Sequence, residues 1–238
     1  MPVPEDQRFR FFVYIVESPS PVDMYHGRGE GQVVSQAVAL NLIPAVSRVA
    51  ITREAFEAAL KVGIAEAMAQ NPGLAPIIHL SAHGNTEGIG LSSGEHITWN
   101  HLRDLLKPIN KALSGALVVC LSCCEGYAGI RMAMHHDSDP PYFALIGNTT
   151  SPTWSETAIA YATLYHQIAK GEYFQDAVAA MCHASGNGGF VLENAETSKR
   201  VYLDYLATLN PASAQEQLRL AAANLPPSEL AKASIFTQ

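Results

Sequence analysis

The apolar positions of this chain fall into two patterns: short, nearly continuous runs rich in Val and Ile, and longer stretches with an apolar residue every three or four positions. The short runs read as strands buried on both faces of a parallel sheet. Five are expected: 11–16, 46–51, a run from Ile77 to His83-Gly84, a run from Ala116 to Cys124, and 142–146. Between them the helical period predominates. Phe56, Ala59, Leu60, Gly63, Ile64, Ala67 and Met68 share one helix face, and Asn71-Pro72-Gly73 stops that helix. Trp99, Leu102, Leu105, Leu106 and Ile109 mark a second such face. An earlier helix is expected to reach about Leu42, a short one to start at Gly126, and two more to end near Lys170 and Ala184. Thr153 followed three residues later by Glu156 predicts a capping box for the first of this last pair.

Strands alternating with helices predict right-handed βαβ units, hence an α/β fold with a mostly parallel sheet and helices on both faces. Segments 17–31, 84–94 and 135–141 read as polar loops. From Glu196 the chain is rich in Ala and Leu, with breaks at Pro211 and Pro226-Pro227. The expected organisation is one domain over 8–192 and a helical extension, packed on it, over 193–238.

Composition sharpens this picture. The 238 residues, 48% hydrophobic and 16% charged, describe a globular chain with a large core and no run long enough to span a membrane. The first residues lack the basic and apolar regions of a secretory signal, so a cytoplasmic location is expected. A net charge of −7 without a Lys/Arg cluster argues against nucleic-acid or membrane partners. Cys120, Cys123 and Cys124 crowd one strand and Cys182 stands apart, a spacing unsuited to a disulfide framework.

Reactive groups in parallel sheets collect at the carboxyl ends of strands. If the third and fourth strands are neighbours, His83 and Cys124 emerge together on that edge. A thiol attacks an acyl carbon as thiolate, and the exposed N–H groups of the helix after Cys124 favour that form by at most about 2 kcal/mol. A His must still protonate the leaving group, and His83 is the candidate. Gly84 leaves room for a substrate backbone, and its N–H together with that of Cys124 could form an oxyanion hole.

His83-Gly84 ending one strand, followed by a strand ending Leu121-Ser122-Cys123-Cys124-Glu125-Gly126, resembles the caspase-like cysteine peptidases of clan CD, most closely the CHAT-type branch. The two residues stand 41 positions apart, somewhat fewer than the roughly 50 of caspases. The resemblance covers about 10–190. It implies a caspase-like three-layer sandwich, with Cys124 as nucleophile, His83 as acid/base, and the N–H groups of Gly84 and Cys124 as the oxyanion hole. It also implies a substrate pocket framed by the Arg28-x-Glu30-Gly31 loop and Trp154. A protein or peptide substrate is expected, with an activating or regulatory protein partner in a signalling, cell-death or defence setting. Cys123 stands where CHAT proteins carry Ala, and Ser122 where metacaspases carry Asp, so the primary specificity is open.

Rival chemistries find less support. His79 lies four residues before His83, about 13 Å away along the same strand face, which suits a core or supporting role. Cys120-x-x-Cys123 puts its thiols on opposite faces and no second pair stands at ligand spacing, so neither metal nor cofactor is expected. His135-His136 and Cys182-His183 suit solvated or core positions. No nucleophile elbow, phosphate loop or dinucleotide glycine motif occurs. The competing expectation is a catalytically silent CHAT-like interaction module. The short loop 135–141 lies where caspases are cut, and an unprocessed single chain is expected.

Overall fold

The computed structural model describes residues 9–209. Six strands form the main sheet in the order β2-β1-β3-β6-β7-β8: β1 Phe11–Ser18, β2 Ala45–Val49, β3 Ala75–Asn85, β6 Val118–Ser122, β7 Ala144–Asn148 and β8 Phe190–Asn194. All neighbours are parallel except β7 and β8. Two short strands, β4 Gly88–Gly90 and β5 His96–Thr98, form an antiparallel hairpin on the outer end of β3.

Side chains alternate along each strand between two cores, as the near-continuous apolar runs require. Phe12, Tyr14, Ile78, Leu80, Val119, Leu121 and Leu145 face one layer: α3 Arg53–Ala58, α4 Ile64–Gln70 and α5 Trp99–Ala112, with a 3-10 helix over Gly126–Ala133. Phe11, Val13, Ile15, Ile77, Cys120 and Ile146 face the other: α2 Glu30–Ala39, α6 Trp154–Ala169 and α7 Phe174–Ser185. The expected α/β fold, with a mostly parallel sheet and helices on both faces, is the observed one.

Several local expectations are corrected. The helix expected around Phe56–Met68 is interrupted by a π-helical turn, Ala59–Gly63, between α3 and α4. Tyr14 on β1 is fully buried and its hydroxyl donates to the Ala59 carbonyl at 2.8 Å, so a side chain inserted into the helix ladder accounts for the bulge. The expected loop 84–94 holds the end of β3 and all of β4, so the strand expected to end at His83-Gly84 runs on to Asn85. The loop 17–31 contains the short helix α1, Pro21–Tyr25, capped by the Ser20 side chain. β8, which no alternation in the sequence marked, pairs with β7 and crosses residue 192. After it comes α8, Ala195–Leu209; the rest of the expected extension lies outside the described residues. The capping box at Thr153 is present, with Glu156 accepting from the Thr153 N–H at 2.6 Å.

Candidate active site

β3 and β6 are neighbours, and their ladder ends with Ser81 opposite Ser122. His83 stands two residues beyond Ser81, and Cys124 two beyond Ser122. Both therefore reach the carboxyl edge of the sheet at matched height, on strands about 4.8 Å apart. β1 ends at the same level, with Ser18 opposite Ala82.

The backbone approach is closer than any side chain there would allow. A Cβ at Gly84 would lie 2.7 Å from the Cys124 carbonyl oxygen and 2.9 Å from Cys123 Cβ. The Cys124 turn is fixed from the opposite side by β7. A Cβ at Gly147 would come within 2.7 Å of the Gly126 carbonyl carbon and the Tyr127 nitrogen. Glu125, in the left-handed region at φ 52°, turns the chain into the 3-10 helix, and its N–H donates to the Thr150 carbonyl at 2.8 Å. Thr150 is in turn held by the fully buried Asn148, whose Oδ1 accepts from its N–H and its hydroxyl, both at 2.8 Å.

Cys124 is half-buried and its N–H donates to no backbone or side-chain acceptor among the described residues, the state an oxyanion donor requires. His83 is exposed, makes no hydrogen bond to Cys124, and packs edge-on against the Trp154 ring with centroids 6.3 Å apart. The other thiols are poor nucleophiles. Burial pushes Cys120 up to about 12 despite a hydrogen bond from Tyr165, and pushes Cys123 and Cys182 upward as well.

Of the expected pocket residues, Trp154 stands beside His83 and Arg28 lines a cavity at the ends of β1 and β2. The Arg28 guanidinium is 62% exposed and pairs with Asp23 at 3.1 Å. That cavity, of about 490 Å³, is also lined by Glu17, Asp23, Gln32 and Ser47, and Trp154 is not among the lining residues. His79 is fully buried and shares a 2.8 Å hydrogen bond with Tyr165. Among the described residues no group of three or more His, Cys, Asp or Glu side chains could hold a metal ion, and no helix is long and apolar enough to cross a membrane.

Two further polar groups belong to this edge: Asn148, which the sequence did not single out, supports the Cys124 turn, and Glu30, expected in a pocket-framing loop, instead begins α2 and lies beneath Ser81 and Ser122. The signal for the second is the repeated spacing Ser81-x-His83 and Ser122-x-Cys124, which puts each serine on the strand face of the reactive residue.

No family model matches the chain, and no curated protein matches it significantly. Solved structures do. Caspase-1 from Spodoptera frugiperda aligns over 77% of this chain and 82% of its own, at 11% identity and a TM-score of 0.50. The Arg-specific cysteine proteinase gingipain R aligns over 73% of this chain at 13% identity and a TM-score of 0.46. The complex of Porphyromonas gingivalis RgpB pro- and mature domains aligns over 75%, at 13% identity and 0.43. This chain spans 41% and 44% of those two gingipain chains. The alignment with the caspase shows that the chain has a caspase-type fold.

Proposed function

We propose that the chain is a cysteine endopeptidase acting through a Cys124/His83 dyad on a protein or peptide substrate. The observation that carries the reading is the matched emergence of His83-Gly84 and Cys124 at the carboxyl edge of a caspase-type sheet, with the Cys124 N–H unengaged. Cys124 as thiolate attacks the scissile carbonyl, and the oxyanion is held by the N–H groups of Cys124 and Gly84. His83 protonates the leaving amine, and the acyl-enzyme then yields to a water molecule that His83 deprotonates. The Leu121-Ser122-Cys123-Cys124 stretch supports a place near the CHAT-type branch, and a signalling, cell-death or defence setting follows by analogy with that branch.

The test is incubation of wild type and Cys124→Ala with a proteome-derived peptide library, followed by mass-spectrometric sequencing of new N-termini. Cleavage confined to wild type is the expected result, and His83→Ala should lower it by about 10²-fold or more. Cleavage by neither protein, with Cys124 alkylating no faster than Cys182, would move the assignment to a silent interaction module.

A further inference from the structure

Beneath the dyad lies a buried polar cluster that the proposed chemistry does not use. Glu30 is the first residue of α2, and its side chain is 1% exposed. Its carboxylate accepts from the Ser81 hydroxyl at 2.6 Å and from the Ser122 hydroxyl at 2.8 and 2.7 Å to its two oxygens. These serines are the last residues paired across the β3–β6 seam. The unpartnered Nε2 of the buried His79 lies 3.7 Å from the same carboxylate. The neighbouring Glu17 on β1 accepts from the Gly31 N–H at 3.0 Å and so seats the first turn of α2. Tyr161, Tyr165, Cys120 and Cys123 complete the titratable surroundings.

Burying a carboxylate costs several kcal/mol unless its oxygens are hydrogen-bonded. Here the serine donors come from the two strands that carry the dyad. Beyond Ser81 and Ser122 the strands part company: β3 continues as a hairpin with β4, and β6 turns through Cys124 and Glu125. The ladder therefore fixes the register of the two strands only as far as Ser81 and Ser122, and Glu30 grips both strand ends at that last common register.

We propose that Glu30 is a positioning residue that aligns His83 with Cys124 by bridging Ser81 and Ser122. The inference deepens the peptidase reading and rests on it for the meaning of the dyad. Glu30 is too buried to touch substrate, so it acts on the dyad through the strand ends it holds.

The experiment follows Cys124 alkylation by iodoacetamide from about pH 5 to about pH 9, with Cys182 as the internal reference. It uses wild type, Glu30→Gln, Ser81→Ala and Ser122→Ala, each checked for folding by circular dichroism. Glu30→Gln preserves size but turns one acceptor oxygen into a donor. It should slow Cys124 alkylation near neutral pH by about tenfold or more, shift the midpoint of the pH profile, and leave Cys182 unchanged. Each serine variant should give a smaller change of the same sign. Where cleavage is measurable, kcat should fall with KM little altered. A Cys124 profile superimposable on wild type in Glu30→Gln overturns the proposal, as does the same result in both serine variants should Glu30→Gln fail to fold. Library cleavage by wild type against Cys124→Ala reports separately on the peptidase reading. The bridge stands with cleavage absent, and cleavage stands with the bridge overturned.

Discussion

At the scale of single residues, the site depends on what is missing as much as on what is present. Gly84 meets the Cys124 carbonyl and Cys123 so closely that any Cβ there must displace the Cys124 turn. Displacement of about 1 Å at a reacting centre costs about 10²-fold in rate. Gly84→Ala should therefore lower library cleavage by about that factor while the far-UV circular dichroism spectrum stays native. Undiminished cleavage would mean that the turn absorbs the methyl group without moving the thiol. His83, Gly84 and Cys124 were legible in the sequence because each ends or borders an apolar run and local pattern suffices to place it. Glu30 and Asn148 were not: the partners of Glu30 lie on strands 51 and 92 residues away, and the local bonds of Asn148 to Thr150 reach the Cys124 turn only through the tertiary contact of Thr150 with Glu125.

Among the elements, the loop 135–141 is held more firmly than its polar composition predicts. Asp137 accepts hydrogen bonds from Arg103 and Lys107 on α5, and its carbonyl accepts from Lys199 on α8. Burial alone would raise the Asp137 carboxyl, but the two cations outweigh it and hold it down at about 2. A carboxyl depressed in the folded state stabilises above its unfolded value of 3.8, and that contribution disappears as pH falls through about 2. The side chain is 42% exposed, so solvent screening reduces the effect to about 1 kcal/mol. Asp137→Asn should cost that amount in urea unfolding at neutral pH, with the difference shrinking below about pH 4 and gone near pH 2. An equal difference at both extremes would assign the loss to packing. The main strands and helices were readable because each repeats a period over several residues. β4 and β5, at three residues each, are too short to show one, and the π turn answers to Tyr14 on a distant strand.

Across the whole molecule, the 3-10 helix Gly126–Ala133 joins the Cys124 turn to the carboxyl-terminal part of the described chain. It packs against β7, α5 and α8, while α8 anchors through Ala195 N–H to Phe143 carbonyl at 3.0 Å and through Lys199 to the loop at Asp137. Removing α8 should loosen both that loop and the helix behind Cys124. The contrast that isolates it sets a chain ending at Leu209 against one ending at Asn194. The two hydrogen bonds and the burial of Ala195 are together worth about 2 kcal/mol, so the shorter chain should melt roughly 4–8 °C lower. Loss of the Lys199 tether should also expose the loop to cutting. Mass spectrometry of the longer chain should find no break at Asp137 or Asp139, and limited proteolysis of the shorter one should break there first. A shorter chain that melts with the longer one and keeps its loop intact would show that α8 rests on the domain without bracing it. The tether to Asp137 would then be a surface hydrogen bond of small net worth.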